Sequence, residues 1–381
     1  MSQTYLIADT AVYETPLAAR LAADRTSEGQ AAEHRAPLEL KMHGGAQTPL
    51  GFHPKAAELQ ALLGAAGVFD LGYRTFLRAT GKDRVRWLNG MITQTVKGLS
   101  PGQTGYTLVL SPQGRVQGDG EVSFHDEFLL LETDRSQSER LLAHLRRFII
   151  MDDVKLEELD ASTTALGIDG PQAAEILAGL GGKAPEEGRF ERTELAAVEV
   201  TVAHRYGPLA PRFTLQVATE QVLTVWKALI EAGAVACGVA ALEDLRVLEG
   251  VAQFDVDFSD KHLPQETNLE RALNFTKGCF IGQEIVERIR SRASVHRSLR
   301  QFDLDGARPK LGPGEKLELK AGDATVGELT SVADFSLPQF TGALGLGMVR
   351  VEALEGSPSE PLHYEGGTAV PRSAPPDLAH S

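Results

Sequence analysis

The sequence predicts an α+β protein of two mixed lobes followed by a small C-terminal β-barrel. Residues 105–134 contain three strand-like runs separated by turn signals, and an amphipathic helical pattern follows them. A second succession of strands and helices starts near Thr164. From Ser298 onward, short strand-like runs with frequent glycine are typical of a small barrel or sandwich. A length of 381 residues agrees with two or three domains of this kind.

The first lobe is preceded by about 55 residues with few periodic signals. Residues 53–71 have the spacing of a helix that runs into a strand or turn. Residues 75–79 alternate like a strand, and residues 82–89 have helical spacing. The helix predicted after the three strands has Ser136 as its N-cap and Glu139 as the other half of a capping box. This order favours an antiparallel sheet covered by helices.

The second lobe is predicted to combine strands and helices in the same way. Residues 164–182 read as a strand and a helix that starts at a Gly-Pro pair and ends at glycines. Two strand-like runs, 195–205 and 212–218, come next. Helical patterns then cover residues 220–233 and 240–252.

Composition and charge exclude several classes of protein. The net charge of −14 argues against a general nucleic-acid binder, because such proteins are usually basic. No segment approaches the roughly 20 apolar residues of a membrane span, and the first residues lack the pattern of a secretory signal. Two cysteines are too few for a disulfide framework and fit the reducing cytoplasm, where we expect the protein. Residues 357–381, rich in proline and small residues, are expected to end in a frayed tail.

One of the two cysteines, Cys279, lies between Gly278 and Gly282. It is either a small buried side chain in a tight loop or a reactive, ligating thiol. Residues 283–290 have helical spacing, so Cys279 would precede a helix N-terminus, and Lys277 is close to it in sequence. Both features favour the thiolate.

The other cysteine, Cys237, lies between an apolar run and a predicted helix, and we expect it to be buried and inert. Cys237 and Cys279 lack C-x-x-C spacing and a nearby histidine cluster. We therefore predict no metal site within this chain. A metal or cluster shared between chains is left open.

The residues around Cys279 are basic. Between residues 271 and 300, seven lysines and arginines stand against two glutamates, a local charge of +5 in a chain of −14. Glu284 and Arg288 have the i, i+4 spacing of a helical ion pair. The run is either a solvated helix face or an anion site, because arginine forks suit carboxylate and phosphate groups.

Residues 277–284, Lys-Gly-Cys-Phe-Ile-Gly-Gln-Glu, are similar to the K-G-C-(Y/F)-x-G-Q-E signature of the YgfZ family. These are folate-binding proteins of the glycine-cleavage T-protein superfamily, and they are implicated in the assembly or repair of iron–sulfur clusters. The likeness extends over most of the chain, with supporting stretches at residues 79–96, 237–250, 263–269 and 326–350.

The resemblance implies a T-protein-like ring of three domains around a central folate pocket, with two ferredoxin-like α+β lobes and the barrel. In the family's order, the first domain is discontinuous, residues 1–75 and 160–265, and the second domain, residues 76–159, is inserted into it. Residues 266–381 hold the signature helix and the barrel. The insertion follows from the resemblance, because the residue patterns alone indicate only two lobes and a barrel.

The resemblance also implies tetrahydrofolate, a reduced folate, as the cofactor. Cys279 and Lys277 are assigned to the chemistry of the site. The candidates for binding the folate are Asp119, Gln283, Glu284, Arg288 and Arg290. The two arginines are expected to hold the glutamate tail, because each carboxylate favours a cationic partner.

An aminomethyltransferase of the glycine-cleavage T-protein type is the enzymatic alternative. T-proteins carry a Gly-Tyr-Thr-Gly-Glu-Asp-Gly stretch whose acid is thought to hold the pterin, whereas residues 206–213, YGPLAPRF, have no acid. They also have two acids where this chain has Gly118 and Asp119, and usually phenylalanine where it has Cys279. Asp119 is explained equally well as a turn residue. These departures favour an assembly or repair factor, and whether the protein is an enzyme stays open.

A non-enzymatic RNA or protein adaptor that docks through the basic run is the second alternative. The YgfZ family is associated with tRNA modification because it supports iron–sulfur enzymes that thiolate tRNA. An acidic chain lacks the broad positive surface expected of a tRNA binder. We therefore predict a YgfZ-like folate-binding protein that serves iron–sulfur client enzymes and does not bind tRNA directly.

Overall fold

The computed structural model describes residues 12–27, 37–159, 161–292, 295–355 and 361–378. Within these ranges the chain forms a six-stranded sheet, a five-stranded sheet, a hairpin and a closed barrel. The helices are α1 (Pro16–Ser27), α2 (Lys55–Gly64), α3 (Arg84–Met91), α4 (Arg135–Arg146), α5 (Ala173–Gly179), α6 (Val222–Glu231), α7 (Val239–Leu248), α8 (Gln283–Arg292) and α9 (Val351–Glu355). The strands are β1 (Leu40–His43), β2 (Ala46–Pro49), β3 (Gly67–Asp70), β4 (Arg74–Thr80), β5 (Thr104–Leu110), β6 (Val116–Phe124), β7 (Leu129–Asp134), β8 (Lys155–Glu158), β9 (Thr163–Asp169), β10 (Phe190–Leu195), β11 (Val198–Arg205), β12 (Arg212–Ala218), β13 (Val235–Cys237), β14 (Arg297–Gly306), β15 (Leu317–Ala321), β16 (Ala324–Ser336), β17 (Thr341–Arg350), β18 (Leu362–Tyr364) and β19 (Gly367–Arg372).

The six-stranded sheet has the order β10-β11-β12-β9-β3-β13, in which β3 and β13 pair in parallel and the other neighbours are antiparallel. Helices α5 and α6 pack against it. Trp226 and Leu229 of α6 share one buried cluster with Leu166 and Ile168 of β9. The predicted strands at 212–218 and within 195–205 are confirmed, because their alternation buries every second side chain in this cluster.

The five-stranded sheet has the order β5-β6-β7-β4-β8 and is antiparallel throughout. Helices α3 and α4 pack against it, with Trp87 and Leu141 buried beside Leu77 and Leu131. The three strands and the following helix predicted here are confirmed.

The predicted capping box of α4 is wrong. The helix begins at Arg135, one residue before Ser136, and Asp134 is its N-cap residue without a side-chain hydrogen bond to the helix. The carboxylate of Asp134 instead accepts a hydrogen bond from Nη1 of Arg74, at 3.0 Å. A tertiary ion pair thus takes the carboxylate that could otherwise cap the helix.

The C-terminal barrel is closed, with the order β14-β17-β16-β15-β18-β19 and β19 paired back to β14. Phe302, Leu329 and Val349 are buried in its core. The sequence pattern did not reveal β18 and β19, which lie in the proline-rich stretch and become ordered by pairing across the barrel. Residues 379–381 of the expected frayed tail lie outside the described residues.

Sequence periodicity also missed α1 and the β1–β2 hairpin. Gly44 and Gly45 form the hairpin turn with φ of +56° and +92°. A Cβ at Gly44 would lie 2.4 Å from Cδ2 of Tyr73, so both the backbone and the packing require glycine. The Gly-Gly pair is the signal that could have indicated this turn.

The buried carboxylate of Asp257 links the barrel to α7. Oδ2 of Asp257 accepts Nη1 of Arg246 at 2.6 Å. Oδ1 accepts the hydroxyls of Thr330 and Ser331 on β16, each at 2.6 Å. The barrel is therefore held against α7, which carries Arg246.

The chain leaves the six-stranded sheet after β3, forms β4 to β8 of the five-stranded sheet, and returns to the first sheet at β9. The exact lobe boundaries stay a prediction. The predicted fold class, α+β with a small C-terminal barrel, is confirmed. In the described parts of the chain, no helix is both long and apolar enough to cross a membrane.

Candidate functional site

A cavity of about 230 Å³ lies where the two sheets meet α7 and the segments that follow it. Its acidic lining residues are Asp119, Glu121, Glu132, Asp134, Asp169 and Glu243. Its basic lining residues are Arg74, Arg205, Arg212, Arg246 and Arg271. Its aromatic side chains include Phe69, Tyr73, Tyr106, Tyr206 and Phe213. We call this space the central cavity. Concave sites that combine aromatic walls with directed polar groups are typical of small-molecule binding.

Glu132 of β7 links the two sheets at the central cavity. Its Oε2 accepts Nη2 of Arg205, from β11 of the other sheet, at 2.7 Å, and its Oε1 accepts Nε of Arg74 at 3.2 Å. Nearby, burial raises the pKa of Glu121, an effect that Arg205 partly offsets. The charged groups are thus part of the interface between the sheets as well as of the cavity wall.

Arg212 of β12 is held by two buried carboxylates. Its Nε donates to Oδ2 of Asp169 at 2.8 Å, and its Nη2 donates to Oε2 of Glu249 at 2.9 Å. Burial raises the pKa of Asp169 to about 6, although Arg212 opposes this shift. Arg212 belongs to the stretch 206–213. This stretch has no acid, and it contributes a cation to the cavity wall instead.

Arg271 lies between two tyrosine rings. Its guanidinium carbon is 4.1 Å from the ring centroid of Tyr106 and 4.8 Å from that of Tyr206. Such cation–π contacts hold an arginine in place without neutralising it. In the part of the chain that the structure describes, no carboxylate forms an ion pair with Arg271, so its charge is available to an anionic group of a ligand.

Two buried polar atoms of lining residues have no hydrogen-bond partner among the described residues. They are Oδ1 of Asp169, an acceptor, and Nε of Arg205, a donor. Buried polar atoms are nearly always paired. These two atoms are therefore the positions at which polar atoms of a ligand or of water are expected.

Asp119 is the predicted site residue that lines the central cavity. Its Oδ2 accepts the hydroxyl of Tyr106 at 2.5 Å, and its Oδ1 accepts Nε2 of Gln137 at 2.8 Å. Burial and the Asp119 charge raise the pKa of Tyr106, which keeps the phenol protonated as a donor. A Cβ at Gly118 would lie 2.7 Å from Oε1 of Gln137 and 2.8 Å from Cδ2 of Leu141, so a larger side chain there requires these two side chains of α4 to move.

Lys277 binds the loop before α8, residues 277–282, to the end of α3. We call this segment the signature loop. Nζ of Lys277 donates to the carbonyl oxygens of Asn89 and Ile92 at 2.6 Å and of Gln94 at 2.7 Å. Burial lowers the pKa of Lys277 to about 7, but acceptors for all three hydrogens stabilise the ammonium form. These bonds occupy its donors, and its expected effect on the thiol of Cys279 stays a prediction.

Cys279 is exposed on the loop before α8. The interpretation of this residue as a small buried side chain is therefore wrong. The predicted start of the helix near Gln283 is confirmed. Gly282 has a φ of +81°, and a Cβ there would lie 2.7 Å from the carbonyl oxygen of Ser111. Gly282 thus serves the packing of the loop, whereas the space beside Gly278 is open.

The remaining predicted site residues lie on α8 and do not line the central cavity. Oε1 of Gln283 accepts the backbone N–H of Phe280 at 3.3 Å. Glu284 and Arg288 are exposed, and their predicted ion pair is absent from this described helix. Arg290 instead pairs with Glu287 at 3.5 Å and covers the ring of Phe275. Their roles in folate binding stay a prediction.

Sequence reasoning missed most charged residues of the cavity. Glu132 and Asp134 end the apolar run of β7, and Arg205 ends the run of β11. Asp169 ends β9 in the same manner. A charge at the end of an otherwise buried strand was the available signal, because burial of a charge requires a partner.

Cys237 is fully buried, as predicted, and burial raises the pKa of its thiol. Its Sγ donates to the carbonyl oxygen of Glu58 at 3.5 Å. Among the residues described, no group of three or more His, Cys, Asp or Glu side chains is arranged to hold a metal ion.

Comparisons with known proteins agree with this architecture. The chain is 26% identical over 266 residues to an aminomethyltransferase of Nostoc sp., covering 65% of this chain and 69% of that protein. It is 28% identical over 279 residues to an aminomethyltransferase of Rubrobacter xylanophilus, covering 72% and 75%. A putative chloroplastic transferase of Arabidopsis thaliana, At1g60990, is 24% identical over 290 residues, with coverage of 75% and 66%.

The structure resembles that of glycine cleavage system aminomethyltransferase T from Bartonella henselae, with a TM-score of 0.80 and 17% sequence identity over 95% of this chain and 96% of that one. This likeness confirms the T-protein fold. A model of the GCVT N-terminal domain matches residues 29–277, which is more than half of the sequence. The chain therefore belongs to the GCVT N-terminal domain family.

Proposed function

We propose that this protein is a YgfZ-like folate-binding protein that supports the assembly or repair of iron–sulfur enzymes, including enzymes that modify tRNA. The observation that carries the proposal is the exposed thiol of Cys279 within the signature at 277–284. The hydrogen bonds of Lys277 anchor this loop to α3. An accessible cysteine on an anchored loop can ligate iron or accept sulfur from a partner.

The residues of the central cavity fit the ring system of a folate. A volume of about 230 Å³ is slightly below the usual range of roughly 300–1,000 Å³ for ligand sites, so it suits the bicyclic head and not the whole molecule. The rings of Tyr106 and Tyr206 offer apolar contact. Oδ1 of Asp169 and Nε of Arg205 offer an acceptor and a donor that have no partner in the described part of the chain. Tetrahydrofolate, when bound, supplies a carrier for a one-carbon unit. The names of the aminomethyltransferase relatives support this assignment.

The remaining parts of the folate would meet cations. Arg271, held between two tyrosines, faces the cavity with its charge available. Arg288 and Arg290 project from the exposed part of α8 and are our candidates for the glutamate tail. Asp119 holds Tyr106 in place and is the candidate for a contact with the folate ring.

Isothermal titration with tetrahydrofolate and with folinic acid tests the folate half of the proposal. We expect saturable binding of at least one ligand, with competition between the two. Absence of binding of both would overturn this half. Complementation of cells that lack the native protein tests the iron–sulfur half: wild-type protein should restore iron–sulfur enzyme activity, and Cys279→Ser should not. Full restoration by Cys279→Ser would contradict the role of the thiol.

A catalytic aminomethyltransferase is the second candidate, which the names of the curated relatives favour. Against it stand the missing acid in residues 206–213 and the single acid at Asp119. We expect no appreciable methylene-tetrahydrofolate formation in an assay reconstituted with the glycine-cleavage carrier protein. Robust turnover in that assay would establish the transferase and overturn the assembly-factor proposal.

The proposed partners are iron–sulfur client enzymes in the cytoplasm. A chain with a net charge of −14 is poorly suited to bind tRNA directly. Filter binding with tRNA at moderate salt separates this proposal from an RNA adaptor. Tight, saturable retention of tRNA would favour the adaptor.

A further inference from the structure

Asp169 is a buried carboxylate that lines the central cavity with one oxygen engaged. The residue is 1% exposed and ends β9, directly opposite Arg212 in the register of β9 and β12. Its Oδ2 accepts Nε of Arg212 at 2.8 Å. Its Oδ1 is buried and has no hydrogen-bond partner in the described part of the chain.

An unpartnered buried carboxylate oxygen is costly, because burial removes its water and nothing replaces it. Burial raises the pKa of Asp169 to about 6, so at pH 7.5 most of the carboxyl groups are ionised and act only as acceptors. A ligand group that donates an N–H to Oδ1 would remove the cost.

Glu249 is the natural comparison for Asp169, because it also binds Arg212. Its Oε2 accepts Nη2 of the same Arg212 at 2.9 Å, and its Oε1 is likewise buried without a partner among the described residues. Glu249 does not line the central cavity, however, whereas Asp169 does. The two carboxylates therefore share a cation, burial and an oxygen that has no partner among the described residues, but only Asp169 lines the central cavity.

We propose that Asp169 is a ligand-binding carboxylate of the central cavity, in addition to Asp119, and that it recognises an amino-substituted nitrogen heterocycle through the N–H donors of that ring. This inference rests on the proposed folate function, under which the donors are the 2-amino group and the adjacent ring N–H of the pterin. A carboxylate suits this edge because its oxygens only accept: Oδ1 and the second lone pair of Oδ2 can take the two N–H donors, and they repel a carbonyl placed there. Asp169 thus supplies, from β9, the acid that residues 206–213 lack.

The test compares two ligands on three proteins by isothermal titration at pH 7.5. The ligands are tetrahydrofolate and its 2-desamino-2-methyl analogue, which lacks the amino donor. Wild-type protein should bind tetrahydrofolate about tenfold or more tightly than the analogue. Asp169→Asn should weaken tetrahydrofolate by a similar factor and lose the discrimination. Glu249→Gln, the matched control, should keep both the affinity and the discrimination, and far-UV circular dichroism should verify that each variant is folded.

Equal affinities of the wild-type protein for the two ligands would overturn the inference without any variant. Retained discrimination in folded Asp169→Asn, or equal losses in Asp169→Asn and Glu249→Gln, would also overturn it. In these cases folate still binds, so the proposed function survives. If wild-type protein binds neither ligand, the folate proposal and the inference both fail.

Discussion

Tyr106 donates its hydroxyl hydrogen to Oδ2 of Asp119 over 2.5 Å at the wall of the central cavity. Because the acceptor is a carboxylate, this bond should be stronger than one to a neutral carbonyl. Tyr106→Phe should therefore lower the free energy of unfolding by about 2 kcal/mol. Urea denaturation measures the change.

Tyr364 of the barrel provides the matched control for this variant. Its hydroxyl donates to the neutral carbonyl oxygen of Ala307 at 2.7 Å. Tyr364→Phe should lower the free energy of unfolding by about 1 kcal/mol or less. A smaller loss for Tyr106→Phe than for Tyr364→Phe would contradict the strong bond between Tyr106 and Asp119.

Lys277 should be important for stability because its ammonium group satisfies three carbonyl oxygens at the end of α3. Lys277→Met should lower the free energy of unfolding by about 2–3 kcal/mol, since charged hydrogen bonds are lost inside the protein. Lys82→Met is the control, because Lys82 is exposed and its contact with Asp153 is 3.9 Å long. Similar unfolding midpoints for the two variants in urea would show that the bonds of Lys277 contribute little.

The two cysteines should react at very different rates. Cys279 is exposed and Cys237 is fully buried, with burial also raising the pKa of the Cys237 thiol. Iodoacetamide should therefore label Cys279 in the native protein and both cysteines in urea. Peptide mass spectrometry identifies the labelled site, and native Cys279→Ser serves as the control that should remain unlabelled. Labelling of Cys237 first would refute the predicted inertness of that residue.

Arg288 and Arg290 are proposed to hold the glutamate tail of the folate. Replacing both by alanine should weaken polyglutamylated tetrahydrofolate more than the monoglutamate, because each added carboxylate loses a cationic partner. Titration calorimetry with both ligands measures the difference. Arg308→Ala removes an exposed arginine of the barrel and should change neither affinity. Equal weakening of the two ligands by the double variant would mean that the tail binds elsewhere.

Asp70 should make stability depend on pH. Burial raises the pKa of Asp70 to about 6. The hydrogen bonds that its carboxylate accepts from Thr15 at 2.5 Å and from the Gly72 N–H at 2.7 Å act in the opposite direction and lower the pKa. Because this pKa lies above the unfolded value of 3.8, the folded state holds the proton more tightly. The contribution to stability is complete below pH 3.8 and is lost as the pH rises through about 6.

Asp70→Asn stays neutral and should lack this loss. Between pH 4 and pH 7, wild-type protein should lose about 2–3 kcal/mol of unfolding free energy relative to Asp70→Asn. Urea denaturation of both proteins across this window gives the difference, in which the other titrating groups cancel. A difference that stays constant with pH would rule out a raised pKa for Asp70.

Predictions from the sequence were accurate where the signal was a repeating local pattern. The alternation in β11 and β12 and the glycine-rich strands of the barrel identified these elements, because their buried side chains recur at fixed spacing. The capping box at Ser136 failed because α4 begins directly after β7, at Arg135, so that Ser136 lies inside the helix and Asp134 occupies the N-cap position. Helix α1 was missed because its apolar side chains recur only weakly at helical spacing. The first hairpin was missed because strands of four residues carry few repeats.

The sequence by itself determined the fold class, the position of α8 and the motif that contains Cys279, because each is a property of neighbouring residues. Only the tertiary structure decided which charges meet in the central cavity. Arg205 and Glu132 are 73 residues apart and come from different sheets, and Arg212 meets Asp169 across 43 residues through strand register. The same packing left Oδ1 of Asp169 buried without a partner among the described residues, because its surroundings depend on how sheets and strands assemble and not on sequence spacing.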